Sequence, residues 1–193
     1  MKYKLNRIQL FLVLFVGLYL PIRGQNLYKQ TNASNITLAG TSTLHDWTMT
    51  SSETNIQASF KLDEAGIPIQ LKSLTLSVPS QSLKSSKKAM DKNAYRALKT
   101  DKNKVISFSL SSATVEKNLF QCLGNLTIAG VTKPVKVDAT CEVGANKSIA
   151  CKGKKQIKMS DFQMEPPSFM FGTVKTGDEI VVSFNVELAP IKN

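Results

Sequence analysis

Few residues of this chain have side chains suited to chemistry. The single histidine, His45, stands beside Asp46 in the segment 40–47, Gly-Thr-Ser-Thr-Leu-His-Asp-Trp. A His-Asp pair can serve acid–base catalysis only beside a fixed nucleophile, and the sequence has no Gly-x-Ser-x-Gly elbow. One histidine also offers too few ligands for a zinc site. The segment therefore favours a structural role, in which Asp46 caps a turn and Trp47 packs, over a hydrolase-like site.

The three cysteines, Cys122, Cys141 and Cys151, fall on neighbouring predicted strands and share the face that points to the core. If the hairpin register is local, Cys141 stands opposite Cys151, and one disulfide is compatible with that placement. The other interpretation is that all three are small buried apolar residues. An odd number of cysteines leaves at least one unpaired, and no Cys-x-x-Cys motif indicates zinc or redox chemistry.

The first 24 residues predict a secretory signal peptide. Basic residues precede a nearly uninterrupted apolar run at 8–20, and Pro21-Ile22-Arg23-Gly24 leads to Gln25 as the mature start. The run is short for a membrane span, although an uncleaved anchor is the alternative. We expect an exported protein, periplasmic or extracellular, with a single domain over residues 25–193.

The mature chain would be strongly basic. Removing four basic residues, Lys2, Lys4, Arg7 and Arg23, lowers the formal charge from +11 to +7. Export and the lack of aromatics between the lysines argue against nucleic acid as a partner. The lysines form either a solvated face or a surface attracted to anionic membrane lipids or to the acidic head of a ligand.

The organising stretch of the chain, residues 71–112, predicts strand, helix and strand in succession. Alternation at Leu74, Leu76 and Val78 indicates a strand that Pro79 ends. Apolar residues then recur at helical spacing, at Met90, Ala94, Ala97 and Leu98. Strand alternation returns at Ile106, Phe108 and Leu110. One amphipathic helix in a chain of strands needs a partner surface, so we expect it to cover the open end of a barrel.

The remaining chain predicts an all-β fold. About eight strands joined by short turns favour an antiparallel barrel with one helix inserted between strands three and four. The predicted strands cover 32–43, 48–62, 67–78, 105–115, 118–128, 135–143, 149–159 and 179–188. A phase slip near Lys72-Ser73 predicts a bulge, and Lys155 interrupts the apolar face of strand seven. The apolar loop 161–172 should plug the core or border a hydrophobic pocket.

Four segments resemble the YceI-like family, the polyisoprenoid-binding group of exported bacterial proteins. They are segment 40–47 with its preceding strand, the strand–helix–strand of residues 73–109, Gly124-Asn125-Leu126-Thr127-Ile128-Ala129-Gly130-Val131-Thr132-Lys133-Pro134-Val135, and Thr176-Gly177-Asp178-Glu179-Ile180. The resemblance implies an eight-stranded lipocalin-like barrel with a long apolar tunnel for an isoprenoid chain or similar amphiphile. It also implies a dimer in many members.

The predicted ligand-binding residues follow from strand phase and from this resemblance. Nine are expected on the tunnel wall: Ile56, Phe60, Leu74, Leu76, Ile106, Phe108, Phe120, Leu126 and Val182. Four are expected at its mouth: Met90, Tyr95, Phe169 and Phe171. The alternative for the wall set is that these side chains fill a solid core.

The leading functional hypothesis is non-enzymatic binding of a long-chain lipid, for transport or storage in the cell envelope. The ligand would be a polyisoprenoid or isoprenoid quinone, with no catalytic residue, metal or other cofactor. Two alternatives remain: an envelope protein that acts through its surface without a bound lipid, and an enzyme using His45 and Asp46.

Overall fold

The computed structural model describes residues 26–191, apart from the side chains of residues 145 and 170. The predicted signal peptide, residues 1–24, lies outside this range. The described part holds eleven strands and one helix: β1 Asn26–Gln30, β2 Asn35–Ser42, β3 Trp47–Ser51, β4 Asn55–Leu62, β5 Pro68–Pro79, α1 Lys88–Ala97, β6 Val105–Glu116, β7 Leu119–Ile128, β8 Val131–Val143, β9 Ile149–Lys158, β10 Ser168–Phe169 and β11 Val174–Pro190. No helix among these residues has the length and apolarity to cross a membrane.

Eight strands close into an antiparallel barrel. The order around the ring is β1-β4-β5-β6-β7-β8-β9-β11, and β1 closes it by pairing with the end of β11, from Gln30 opposite Leu188 to Tyr28 opposite Pro190. The hairpin of β2 and β3 pairs with the earlier part of β11 and extends the wall at that end. The predicted fold class is confirmed, with α1 between β5 and β6.

Several strand boundaries differ from the prediction, and β8 and β11 begin earlier than predicted, at Val131 and Val174. The segment 48–62 is not one strand, because the Ser51 hydroxyl accepts a hydrogen bond from the Glu53 amide at 3.1 Å and turns the chain between β3 and β4. The short strand β1 was not predicted. Tyr28 is the one buried residue of β1, and Leu27 beside it is exposed.

The predicted bulge lies where the phase slips. Ser59 stands opposite Ser73, whereas the next residue, Phe60, stands opposite Leu71. Lys72 is therefore the extra residue, and it lets Leu71 and Leu74 both face the barrel interior.

Helix α1 covers one end of the barrel, as its apolar stripe predicts. At its start, the buried Asp91 carboxylate accepts hydrogen bonds from the Ser85 amide at 2.8 Å and the Ser85 hydroxyl at 2.7 Å. An acidic side chain in the first turn also suits the helix dipole. On its flank, the Tyr95 hydroxyl donates to the Leu83 carbonyl at 2.9 Å and accepts from the Lys84 ammonium at 2.6 Å. These contacts fix the helix while its apolar side faces inward.

The core consists of two clusters at opposite ends of the barrel. At the end away from α1, the rings of Tyr28, Phe60 and Phe120 meet edge to face, with centroids 5.2 Å and 6.2 Å apart, and form a floor. Under α1, a second cluster joins Leu98 and Phe162 to neighbouring strands. The space between the clusters is where a ligand site can form.

A two-chamber apolar cavity as candidate ligand site

The inner chamber is a cavity of about 210 Å³ between the floor and α1. Its lining comes from the inward-facing residues of the barrel strands, because successive side chains of a strand point to opposite faces of the sheet. Every side chain of the lining is apolar except that of Lys155. The chamber can therefore hold an apolar chain but has almost nothing with which to orient a polar one.

The outer chamber is a cavity of about 330 Å³ at the mouth of the barrel. Its walls are α1, the β2–β3 hairpin and the loop before β11. Five residues line both chambers and form the waist between them: Leu38, Leu83, Leu98, Met164 and Ile180. The two chambers are therefore adjacent, and these side chains form the wall between them.

The barrel interior is hollow rather than solid. Leu74, Leu76, Ile106, Leu126 and Val182 face inward on hydrogen-bonded strands, yet each is only partly buried. Their exposed surface is the surface of the inner chamber. A filled core would leave such side chains close-packed, as protein interiors normally are.

The structure brings together eleven of the thirteen predicted ligand-binding residues. All nine predicted wall residues line the inner chamber, while Met90 and Phe169 line the outer chamber. Two predicted mouth residues lie outside both linings. Tyr95 is engaged in anchoring α1, and the Phe171 ring is fully exposed at 113%. Contact of any of these residues with a ligand stays a prediction.

Some lining residues were not among the predicted site residues. Leu38 and Met164 form part of the waist, and Val135 and Val137 line the inner chamber. Strand phase gives a signal for the two valines, which alternate in step with Ala139 and Cys141. Met164 had no such signal, because it lies in an irregular loop whose path depends on tertiary packing.

The loop 161–172 both plugs the core and borders the cavity. Phe162 and Met164 are buried under α1, and Phe169 lines the outer chamber. The Asp178 carboxylate holds the start of this loop, because it accepts hydrogen bonds from the Ser160 amide at 2.8 Å and hydroxyl at 2.5 Å. These bonds lower the pKa of Asp178 below its ordinary value.

The His45–Asp46 segment has the geometry of a turn. The His45 Nδ1 lies 2.7 Å from the Asp46 backbone carbonyl, and the ring is exposed at the outer chamber. The Ser42 hydroxyl accepts from the His45 amide at 3.2 Å and donates to the His45 carbonyl at 2.7 Å. Ser42, rather than Asp46 as predicted, thus supplies the cap. Its hydroxyl bonds to backbone atoms of His45, which is not the arrangement of a nucleophile and its base.

Trp47 packs as the sequence predicts. Its ring lies against Gly40, which stands opposite it in the hairpin, and a Cβ at Gly40 would come within 2.4 Å of the indole. The indole Nε1 donates to the Thr41 carbonyl at 3.1 Å. The motif of segment 40–47 therefore builds one wall of the mouth.

The three cysteines all line the inner chamber but have different states. Cys141 and Cys151 stand directly opposite each other on β8 and β9, with Cα atoms 4.1 Å apart, and form a disulfide. Cys122 on β7 is free and buried. Burial, with a smaller contribution from Asp138, raises the pKa of Cys122 to about 11. Among residues 26–191, no three His, Cys, Asp or Glu side chains come together as metal ligands.

The chain matches one family model and several solved structures. The model of the YceI-like domain matches residues 29–188. Among curated proteins, none matches the chain. The crystal structure of BcnA from Burkholderia cenocepacia superposes with a TM-score of 0.69 at 18% identity, covering 82% of this chain and 98% of that one.

Two further structures share the fold. The YceI protein of Campylobacter jejuni matches with a TM-score of 0.57 at 22% identity, over 73% of this chain and 85% of that one. A polyisoprenoid-binding domain from Saccharophagus degradans, implicated in plant cell wall breakdown, matches with a TM-score of 0.63 at 11% identity, over 87% of this chain and all of that one, 100%. At these identities the structures support the fold alone.

Proposed function

This chain belongs to the YceI-like family, and from that premise we propose that it is an exported protein that binds a long-chain isoprenoid or similar amphiphile. The ligand occupies the two chambers, and the protein carries or stores it in the cell envelope without acting on it chemically. The polyisoprenoid-binding domain that shares this fold supports the ligand class.

The observation that carries this proposal is a hollow barrel with an apolar lining. Each buried methylene contributes about 0.8 kcal/mol, so a five-carbon isoprene unit contributes about 4 kcal/mol before the cost of immobilising it. A tail of a few such units needs no further interaction to bind tightly. Selectivity would come from the length and width of the chambers.

Two independent features support export. The first is the predicted signal peptide of residues 1–24. The second is the disulfide between Cys141 and Cys151, since structural disulfides persist in oxidising compartments such as the periplasm and are rare in the cytosol. A mature charge of +7 would also draw the protein to anionic membrane surfaces, where it could collect or deliver its ligand.

Native mass spectrometry of the mature protein, from residue 25 onward, tests the proposal when it is run beside an organic extract of the same sample. We expect an additional mass that moves into the organic phase and fragments as a polyprenyl or other long-chain lipid. A lipid-free protein that also fails to take up an added isoprenoid quinone or polyprenol would refute the proposal.

A pair of variants places the lipid in the barrel. Ile106 lines the inner chamber, whereas its neighbour Val105 is 45% exposed on the outer face. Ile106→Trp should fill the chamber and remove the additional mass, because the indole competes for the same space. Val105→Trp should retain the lipid. Equal retention by both variants would place the lipid elsewhere.

A further inference from the structure

The pairing between β8 and β9 ends partway along the barrel. It runs from Val143 opposite Ile149 to Ala139 opposite Gly153 and goes no further. Residues 131–138 of β8 and 154–158 of β9 are then unpaired with each other, although each segment pairs on its other side. We call this interval the β8–β9 gap. It borders the inner chamber, since Val135 and Val137 line the chamber from β8.

Lys155 lies at this gap and breaks the apolar lining. It is the one charged residue among the lining residues of the inner chamber, and it is partly buried. Lys155 stands opposite Val182 on β11, and Val182 in turn stands opposite Leu38 on β2. Within residues 26–191, no hydrogen bond or salt bridge reaches its ammonium group. An ammonium among apolar side chains is unfavourable unless it reaches water or meets an anion.

The charges around the gap favour an anion. Lys133 and Lys136 on β8 and Lys154 and Lys158 on β9 are all exposed along its two borders. On the neighbouring strand β11, Glu179 is engaged with the Gln156 amide at 2.8 Å. One further carboxylate, Asp138, is exposed on the β8 border. With Lys155 and four exposed lysines against Asp138 and Glu179, the net charge around the gap is positive, which attracts an anionic group to it.

We propose that Lys155 binds the anionic head group of the amphiphile at the β8–β9 gap while the tail fills the inner chamber and extends into the outer one. The head group is a carboxylate or a phosphate, since either oxyanion accepts charge-assisted hydrogen bonds from an ammonium. This inference rests on the proposed function and adds the chemical class of the head group. The outer chamber also has a cationic lining residue, Lys87, but Lys87 is exposed to solvent, whereas Lys155 is partly buried among apolar side chains. Ser42 and His45 Nδ1 in the outer chamber are engaged with backbone atoms.

The test compares ligands that share a tail but differ in head group. The delipidated mature protein is titrated with geranylgeranyl monophosphate and geranylgeraniol, then with oleate and oleyl alcohol. Displacement of the neutral probe N-phenyl-1-naphthylamine gives each Kd. The variants are Lys155→Met, which keeps length and removes charge, and Lys155→Arg, which keeps charge. Lys154→Met is the control, because Lys154 is the exposed neighbour and faces away from the chamber.

We expect Lys155→Met to weaken binding of one or both anionic ligands roughly ten- to a hundredfold, the range typical of a lost charge-assisted hydrogen bond. The phosphate and carboxylate arms show which head group fits. The alcohols should bind Lys155→Met as well as they bind the wild type, and Lys155→Arg and Lys154→Met should keep anion affinity. Folding of each variant is checked by circular dichroism.

Three outcomes would overturn the inference and are distinguishable. If the wild type binds the alcohols and the anions equally and Lys155→Met retains both, Lys155 does not bind a head group and the lipid-binding function stands. If the wild type binds none of the four ligands, the proposed function fails and this inference fails with it. Equal losses in Lys155→Met and Lys154→Met would show that only the surface charge matters.

Discussion

The free cysteine of the inner chamber should report whether the chamber is occupied. Cys122 is 6% exposed and lines the chamber, and its pKa is raised from 9.0 to about 11. Because only the thiolate reacts, two pKa units lower the reactive fraction at neutral to mildly alkaline pH about a hundredfold. With Cys141 and Cys151 joined, Cys122 is the one free thiol among the three cysteines of the chain.

The assay measures the rate at which methyl methanethiosulfonate modifies the protein, read by intact mass without reductant. In the delipidated protein, Cys122 should react far more slowly than an ordinary exposed cysteine, because its thiolate fraction is about a hundredfold smaller and its sulfur is buried, and the rate should rise about tenfold per pH unit up to pH 10. Loading the barrel with a polyprenol should stop the reaction over the same interval, because the tail excludes the reagent from the chamber.

A matched variant separates occupancy from general protection. Leu123 follows Cys122 on β7 and is 47% exposed on the outer face. In Cys122→Ala/Leu123→Cys, the thiol should react at an ordinary rate whether or not lipid is bound. If Cys122 itself reacts equally fast in the loaded and emptied protein, the lipid does not occupy the inner chamber. A rate that ceases to rise above pH 9 would contradict the raised pKa.

Three further predictions concern stability. Replacing both Cys141 and Cys151 with Ala should lower the free energy of unfolding by about 2–3 kcal/mol, measured by denaturant titration; a midpoint equal to that of the oxidised wild type would contradict this. Asp91→Ala leaves the half-buried Ser85 amide without an acceptor and should cost about 1–3 kcal/mol, whereas exposed Lys92→Ala should change the midpoint little. Because the pKa of Asp178 in the folded protein is lower than its ordinary value of 3.8, the ionised carboxylate stabilises the fold at pH values above 3.8. This stabilisation is lost as the pH falls through the lowered pKa. Asp178→Asn should therefore be less stable at neutral pH and lose less stability between pH 5 and pH 2; an unchanged acid response would refute the assignment.

Strand phase predicted the wall of the cavity because most barrel strands have one apolar face toward the interior and one face exposed to solvent. Ile106 and Phe108 alternate with serines, and both line the inner chamber. The same reasoning predicted the bulge at Lys72, since the apolar phase shifts there and only an extra residue keeps both halves of the strand facing inward.

The mouth could be predicted only in part, because its side chains belong to a helix and loops whose positions depend on tertiary contacts. Met90 faces the outer chamber as the helical period indicates. Tyr95 lies on the same helix, but its hydroxyl bonds to the Leu83 carbonyl and draws the ring onto the preceding loop. Phe171 has φ of 58° in an exposed turn, and nothing in its residue type signals that position.

Whether the wall residues enclose a void or a core was not decided by their pattern. Alternating apolar residues are required in both cases, and the difference lies in the circumference of the ring and in what fills it. The partial exposure of inward residues such as Leu74 and Val182 decides the matter. The sequence alone also did not show why Lys155 interrupts an apolar face. The structure shows that the β8–β9 pairing ends beside Lys155, which leaves a gap at that residue.

The hollow interior links binding to folding. An unfilled apolar cavity of about 210 Å³ costs about 5 kcal/mol at the scaling found for engineered cavities, which is about 24 cal/mol per Å³. A domain of this size commonly has a total stability of about 5–15 kcal/mol, so the empty inner chamber removes a substantial share of it. A tail that fills the chamber restores the missing contacts and acts as part of the core. The disulfide between β8 and β9 lies beside the point where their pairing ends, so it holds the two strands together where the unpaired gap begins and where filling the chamber matters most. The emptied protein should consequently melt at a lower temperature than the loaded one, and equal melting temperatures would mean that the tail does not complete this core.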